Sequence, residues 1–263
     1  MTTPQAQKAK HLRSLHIPGT PLILTNVWDA VTARVVAGTP GVKALATASH
    51  SISFAHGVPD GEGLSVDQAL EAARVVISAT ELPVSVDFEK GYSPDGSRLE
   101  ENIGRLIEVG AAGLNIEDSV GTTKAPQFDI DTAAQRVATV RSAADKAGVP
   151  LVINARVDTL AGGGEWGEAM ARANAYLDAG ADVIFMLGLG DESKVKRALD
   201  EITGKVSVIS NPSSVPLQTL AGLGVSRVSF GPGTLGLALA HLRAAAAQVT
   251  KLGDYPEELG FKY

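Results

Sequence analysis

The stretch VSVDFEKGY, residues 84–92, joins a buried strand to carboxylates at the strand's C-terminal end. An alternating, β-branched run leads into Asp87, and Glu89 follows two residues later on the same side of an extended chain. The stretch GLNIED, residues 113–118, repeats this arrangement and ends in two acids, Glu117 and Asp118. Acids gathered at the ends of adjacent parallel strands predict a site for a hard divalent cation, Mg²⁺.

Short apolar runs alternate with amphipathic stretches along the chain, which is typical of βα units around a parallel sheet. Strands are predicted at Pro21–Val27, Val42–Ser49, Pro83–Glu89, Gly113–Asp118, Pro150–Asp158, Asp182–Gly188, Val206–Asn211 and Arg227–Phe230. Helices are predicted at Ala30–Ala37, Val66–Thr80, Ser97–Val109, Thr132–Ala147, Glu168–Ala179, Glu192–Ile202, Leu217–Leu223 and Leu235–Thr250. These eight units predict one α/β domain over residues 1–263, a (β/α)₈ TIM barrel, with a doubly wound sheet as the alternative.

The composition excludes several classes of site. A net charge of −6 argues against a nucleic-acid-binding surface, and the absence of cysteine excludes disulfides, thiol nucleophiles and thiolate metal ligands. No apolar run approaches the roughly 20 residues of a membrane span. The N-terminal stretch is polar and helical in pattern, without the apolar centre of a signal peptide, so a cytoplasmic protein is expected.

Polar residues at the predicted strand ends are the first candidates for chemistry, because a barrel carries its active site there. Asp87, Glu89 and Glu117 are candidate metal ligands, used directly or through water. The alternative is that such acids cap helices or pair with cations, but three on neighbouring strands favour a metal. Arg156 follows an apolar strand and suits a carboxylate or phosphonate, with a salt bridge to Glu117 or Asp158 as the alternative.

Two loops add further candidates. In the long second loop, the backbone N–H groups and hydroxyls of the segment that begins Thr47, Ala48, Ser49 are candidate anion binders, and Asp60 is a candidate for holding a metal-bound water. His50 and His56 are more often solvated bystanders at such positions. The stretch GTTKAPQ, residues 121–127, has the character of a mobile flap, whose Thr122, Thr123 and Lys124 are candidates for reaching the substrate on closure. An ordinary solvent loop is the alternative there, and Asn211 is a further candidate at a strand end.

Four motifs in this order and spacing carry a resemblance to a known family. They are GVPD at 57–60, VDFEKGY at 86–92, NIED at 115–118 and NARVD at 154–158. Over nearly its whole length, from Leu22 to Leu242, the chain resembles the isocitrate lyase/phosphoenolpyruvate mutase superfamily.

The resemblance implies a Mg²⁺-dependent enzyme, with Mn²⁺ as the other candidate ion. Such enzymes act on 2-oxo or 2-hydroxy acids and cleave or form C–C or C–P bonds through a metal-stabilised enolate. It also implies roles for the candidates named above. Asp87 is then the direct metal ligand, Asp60, Glu89 and Glu117 hold metal-bound waters, N–H groups near Ala48 and Ser49 bind the substrate carboxylate, and Arg156 binds its other end.

Three departures from the family pattern narrow the activity. The lyases that cleave isocitrate and methylisocitrate carry a catalytic cysteine in the flap, and this chain has no cysteine. The phosphonate enzymes carry a histidine after the sixth strand, where this chain has Leu187. The second acid of the usual Asp-x-Asp motif is Glu89, which is one methylene longer.

The leading hypothesis is therefore a lyase acting on a 2-oxo or 2-hydroxy diacid, by oxaloacetate-like decarboxylation or by cleavage of a 2-alkylmalate or methylisocitrate type of substrate. A C–P mutase or hydrolase, and hence an isomerase activity, is the second hypothesis. A non-catalytic anion-binding barrel and a Schiff-base aldolase using Lys90 are alternatives from other classes.

The last predicted helix, Leu235–Thr250, is too rich in alanine and leucine for a surface helix. We expect it to lie in an interface of a homo-oligomer. The resemblance implies a tetramer, a dimer of dimers, in which this helix is exchanged between neighbouring subunits.

Overall fold

The computed structural model describes residues 3–121, 126–254, 256 and 260. Nine parallel strands lie in the order β1-β9-β8-β7-β6-β5-β4-β3-β2 and form a nearly closed barrel. The strands are β1 (Leu22–Leu24), β2 (Asn26–Val27), β3 (Leu45–Thr47), β4 (Val84–Asp87), β5 (Gly113–Glu117), β6 (Val152–Val157), β7 (Val183–Met186), β8 (Lys205–Ile209) and β9 (Arg227–Ser229). Because strands adjacent in sequence are adjacent in the sheet, the predicted TIM barrel is confirmed; a doubly wound sheet would reverse its order.

The first predicted strand joins the two ends of the sheet. Thr25 divides it into β1, which pairs with β9 through Leu22 and Arg227, and β2, which pairs with β3 through Asn26 and Ala46. All eight predicted strand runs are therefore present, the first as two short strands.

Helices alternate with the strands as predicted. They are α1 (Pro4–Ser14), α2 (Ala30–Ala37), α3 (Ser49–Ala55), α4 (Val66–Ser78), α5 (Leu99–Glu108), α6 (Ile130–Lys146), α7 (Trp166–Asp178), α8 (Glu192–Glu201), α9 (Leu217–Leu223) and α10 (Gly233–Thr250). Helices α2 and α9 match their predicted bounds, and the other predicted helices differ by one or two residues at one or both ends. Among the described helices, none has the length and apolarity that crossing a membrane requires.

Helix α3 lies within the long second loop, where no helix was predicted. The side of α3 that packs against the protein is formed by Ser49, Ser51, Ile52 and Ser53, all buried. A buried face made mainly of serine carries no apolar 3.6-residue period, so the hydrophobic pattern does not indicate a helix there.

The strand register places the candidate residues beside one another. On the neighbouring strands β4 and β5, Asp87 lies opposite Asn115. On β5 and β6, Glu117 lies opposite Arg156. Gly91 then turns the chain away from β4 with a φ of 86°, a conformation that favours glycine, and a Cβ there would overlap the Leu99 side chain.

Candidate active site

A cavity of about 210 Å³ opens at the C-terminal ends of the strands. Its polar lining comprises Asn26, Ser49, His50, Asp60, Asp87, Asn115, Arg156 and Ser229. The rest of the lining is apolar or glycine: Ala48, Phe185, Leu187, Ile209, Gly231 and Pro232. Five predicted site residues thus share one cavity, namely Ala48, Ser49, Asp60, Asp87 and Arg156.

Hydrogen bonds from three sides hold Asp87. The Ser49 N–H donates to Asp87 Oδ2 at 3.0 Å, and the Asn115 side-chain amide donates to Oδ1 at 3.3 Å. The Asp87 N–H donates to the Thr47 hydroxyl at 2.8 Å. Thr47, predicted to bind substrate, is fully buried and supports the end of β4.

A buried polar layer beneath Asp87 was not predicted from the sequence. Asn115 Oδ1 accepts from the Asn154 amide at 2.8 Å and from Arg227 Nη2 at 3.1 Å. Because two donors occupy this oxygen, the Asn115 nitrogen faces Asp87. Arg227 is fully buried and also donates to the Ser85 hydroxyl at 3.2 Å. Burial lowers the pKa of Arg227 to about 10, partly opposed by the negative charge of Asp87.

Asp60 lies in the loop between α3 and α4 and faces the same cavity as Asp87. Its Oδ1 is buried and makes no hydrogen bond within the described part of the chain. A buried carboxylate oxygen without a donor is unfavourable, so this oxygen calls for a cation or water.

Glu89 is not among the residues that line the cavity, unlike Asp87. Its Oε2 accepts from the Glu62 N–H at 2.5 Å and its Oε1 accepts from the Tyr92 hydroxyl at 2.8 Å. Burial raises the pKa of Glu89 to about 7; the Tyr92 hydrogen bond opposes this shift, and the charges of Asp87 and Asp60 add to it.

Glu117 and Arg156 form the salt bridge that the sequence left as an alternative. Arg156 Nη1 lies 2.5 Å from Glu117 Oε2, and Arg156 Nε and Nη2 donate to the two oxygens of Asp158 at 2.7 and 2.9 Å. Burial raises the pKa of Glu117 well above its usual range, while Arg156 opposes the shift. The guanidinium thus lines the cavity and is held in place by two buried carboxylates.

The four predicted metal-binding acids, Asp60, Asp87, Glu89 and Glu117, lie near one another but do not surround a single point. Within the described ranges, no three histidine, cysteine, aspartate or glutamate side chains converge closely enough to hold a metal ion. Even so, Asp60 and Asp87 raise the pKa of Glu89, and Asp87 and Glu89 raise that of Glu117. Carboxylate oxygens that repel one another are suitable ligands for a cation that neutralises their charge. Mg²⁺ suits this arrangement, because it retains most of its waters and needs only one or two direct carboxylate ligands.

The predicted flap residues Thr122, Thr123 and Lys124 lie outside the described residues. The two ends of this segment are joined by a bridge between Ser119 and Gln127 and by a hydrogen bond of 2.8 Å from the Val120 N–H to the Pro126 carbonyl. The Ser119 hydroxyl also donates to Asp158 Oδ2 at 2.7 Å. Ser119, at one end of the predicted flap segment, is therefore tied to the carboxylate that holds Arg156.

The structure does not bring Asn211 into this cavity. Its Oδ1 accepts from the N–H and hydroxyl of Ser213, at 2.9 and 2.7 Å, and the residue borders a separate apolar cavity beside α10. His50 lines the main cavity, whereas His56 Nδ1 is within 2.9 Å of the Ile52 carbonyl oxygen.

Several known proteins are similar to this chain in sequence and in structure. The phosphoenolpyruvate phosphomutase family model matches residues 12–250. A 2-methylisocitrate lyase of Salmonella typhimurium is 31% identical over 203 residues, which span 74% of this chain and 68% of that protein. A Burkholderia cenocepacia structure with a provisional phosphonomutase designation is 39% identical, with a TM-score of 0.87 over 92% of this chain and 100% of that chain. The structure of a 2,3-dimethylmalate lyase is 25% identical, with a TM-score of 0.83 over 97% of this chain and 90% of that chain.

Proposed function

Since the chain belongs to the phosphoenolpyruvate mutase/isocitrate lyase superfamily, we propose that it is a Mg²⁺-dependent carbon–carbon lyase of small 2-oxo or 2-hydroxy carboxylic acids. The named relatives are lyases and a phosphonomutase, which supports the proposal that this chain is an enzyme. The observation that carries the proposal is the joint presence of Asp60, Asp87 and Arg156 around one cavity. Carboxylates there suit a hard cation, and a guanidinium suits a substrate carboxylate.

We assign Asp87 as the direct metal ligand, and Asp60, Glu89 and Glu117 as partners of the waters that Mg²⁺ retains. Two observations support the assignment: the buried Asp60 oxygen has no donor within the described part of the chain, and these acids repel one another. When bound, Mg²⁺ supplies a Lewis acid for the negative charge that develops on the 2-oxo group; Mn²⁺ is the other candidate ion.

The chain's own groups orient the substrate. Arg156 lines the cavity, and Asp158 orients its guanidinium through two nitrogens. In this orientation, Arg156 binds a substrate carboxylate. Ala48 and Ser49 contribute backbone N–H groups at the cavity wall, and the Ser49 N–H also steadies Asp87. We propose that Thr122 and Lys124 contact the substrate when the flap closes over it.

The apolar side of the cavity favours C–C over C–P chemistry. Phe185, Leu187 and Ile209 line it and offer no side-chain hydrogen bond to a phosphonate. A departing CO₂ needs no proton from the enzyme, which suits a chain without a flap cysteine. This argument supports oxaloacetate-like decarboxylation in particular. Cleavage of a 2-alkylmalate or methylisocitrate type of substrate, which needs a proton donor other than cysteine, is the other C–C reaction that we propose.

A phosphonate mutase or hydrolase is the second candidate. The 39% identity to the Burkholderia cenocepacia structure and the match to the phosphomutase family model favour it. Against it stands Leu187, because a charged phosphonate would meet hydrocarbon at that wall.

The substrate assay measures release of pyruvate, or of the corresponding 2-oxo acid, from oxaloacetate, 2-alkylmalates, methylisocitrate and phosphonopyruvate, each with Mg²⁺ and with EDTA. For phosphonopyruvate it also measures phosphoenolpyruvate, the product that a mutase would form. We expect Mg²⁺-dependent turnover of one of the first three. Turnover of phosphonopyruvate alone would favour the second candidate, and no turnover of any of the four would contradict both.

We further propose a cytoplasmic homo-oligomer, a tetramer, in which α10 lies between subunits. Leu237 and Leu242 on α10 are 65% and 66% exposed, and the helix borders the apolar cavity of Pro212, Leu217 and Phe230. Light scattering should give the mass of four 27.1 kDa chains, and the mass of one chain would contradict this.

A further inference from the structure

The loop that carries Asp60 is tied to the end of β4 by Glu62. The Glu62 N–H donates to Glu89 Oε2 at 2.5 Å, and Glu62 Oε1 accepts from the Tyr92 N–H at 2.6 Å. These bonds join positions 27 and 30 residues apart in the chain. The backbone of Glu62 and its side chain are therefore both fixed to the segment that follows Asp87.

A buried ion pair joins the same two segments. Lys90 Nζ lies 3.2 Å from Glu62 Oε2 and donates to the Gly61 carbonyl at 3.4 Å. The two side chains are only 5% and 10% exposed, so water screens the pair little. Removing one partner leaves the other as an uncompensated buried charge.

Three residues of this cluster adopt a backbone conformation that favours glycine. Glu62, Glu89 and Tyr92 have φ values of 66°, 49° and 54°. Non-glycine residues hold such conformations only when surrounding contacts impose them, and they are enriched at functional sites. The hydrogen bonds among these three residues supply that restraint.

We propose that Glu62 is a positioning residue that, with Lys90, Glu89 and Tyr92, clamps the Asp60 loop against the end of β4. The clamp keeps Asp60 on the same cavity as Asp87. It also gives a reason for glutamate at position 89, because the longer side chain reaches the Glu62 N–H. In this clamp the Lys90 ammonium group contacts both Glu62 and the Gly61 carbonyl.

This inference rests on the proposed metal site for its functional readout, but the clamp can be measured without metal. The variants are Glu62→Gln, Lys90→Met and their double mutant in the full chain. Glu71→Gln is the matched control, because Glu71 is exposed on α4 and pairs with exposed Arg74. Hydrogen exchange of residues 59–64 and 90–92 reports the clamp, and Mn²⁺ binding followed by electron paramagnetic resonance reports the metal site.

Each single variant should speed amide exchange in both segments and weaken Mn²⁺ binding about tenfold, as second-sphere changes at metal sites do. The double mutant should recover Mn²⁺ affinity to within about threefold of wild type, because neither buried charge is left unpaired and the amide oxygen introduced by Glu62→Gln still accepts from the Tyr92 N–H. Glu71→Gln should match wild type in both measurements. If Glu62→Gln does not fold, Glu62→Asp, which keeps the charge but shortens the reach, takes its place.

Unchanged exchange in both single variants would overturn the clamp. Faster exchange with Mn²⁺ affinity within about twofold of wild type would overturn the positioning role, since the expected loss is about tenfold. If the wild-type protein binds no Mn²⁺, the proposed metal site fails, and the exchange data alone decide whether the clamp exists.

Discussion

Asn115 donates its side-chain amide to Asp87 at 3.3 Å, across the neighbouring strands β4 and β5. The amide cannot turn freely, because Asn154 and Arg227 both donate to its oxygen. The proposed metal ligand is therefore oriented by a buried chain of donors that reaches into the interior of the barrel.

Replacing Asn115 with alanine should weaken Mg²⁺ binding by about 10- to 100-fold, the usual effect of losing a partner of a metal ligand. The loss should appear in the Mg²⁺ concentration needed for half-maximal activity and in calorimetric titration. Asn174→Ala is the matched control, because Asn174 lies on α7 outside the cavity and hydrogen-bonds to Met170 of the same helix and to Thr203, which follows α8. Equal Mg²⁺ affinities for the two variants would refute the orienting role of Asn115.

Replacing Arg156 with glutamine should lower the free energy of unfolding by about 3–5 kcal/mol, since Glu117 and Asp158 would lose their buried cation. Urea denaturation measures this change. Arg98→Gln, which breaks an exposed pair with Glu101, should leave the free energy of unfolding close to that of wild type, because solvent screens such a pair. A loss for Arg156→Gln as small as for the control would show that the salt bridge is not formed as described.

Leu187 should set the preference for a hydrocarbon substituent on the substrate. Leu187→Asn keeps the approximate size of the side chain but places an amide on the apolar wall, so kcat/KM for the best C–C substrate should fall about 10- to 100-fold. The matched control is Ile17→Asn, at an exposed apolar position that lines neither this cavity nor the one beside α10. An unchanged kcat/KM in Leu187→Asn would argue that the substrate does not touch this wall.

His16 should make the protein sensitive to acid. Burial lowers its pKa to about 3, with nearby Arg227 adding to the shift, whereas the unfolded chain takes up the proton near 6.5. Its contribution to stability is therefore complete above about pH 6.5 and is lost as the pH falls toward 3, by up to about 1.4 kcal/mol per pH unit.

The check is urea denaturation of wild type and His16→Gln at about pH 7 and about pH 5, on either side of the ordinary histidine pKa. Wild type should lose more stability between the two pH values than the variant, which has no proton to take up at this position. Equal losses would mean that His16 is not held neutral in the folded protein.

Most strands and helices could be predicted from the sequence, because short apolar runs alternate regularly with amphipathic stretches along the chain. Asp87, Glu117 and Arg156 could be chosen as candidates because each ends or follows an apolar run in the sequence. The long-range partners were not predictable in the same way. Nothing local indicates that Glu89 bonds to Glu62, which lies 27 residues away, or that both adopt positive φ values.

Arg227 was missed for a different reason. It begins a predicted strand, where a charged residue is ordinarily expected to reach solvent. Only the closed barrel turns this position inward, toward Ser85 and Asn115. Thr47 was assigned to substrate because a hydroxyl at a strand end is often free, but the Asp87 N–H occupies it.

Calorimetric titration of Mg²⁺ into wild type, Asp87→Asn and Asp145→Asn tests the metal site most directly. Asp145 is an exposed residue on α6 and serves as the matched control. Saturable binding to wild type and Asp145→Asn, weakened about 100-fold or more in Asp87→Asn, is the predicted result. Equal binding to all three proteins, or none to wild type, would contradict Asp87 as the metal ligand and the lyase mechanism built on it.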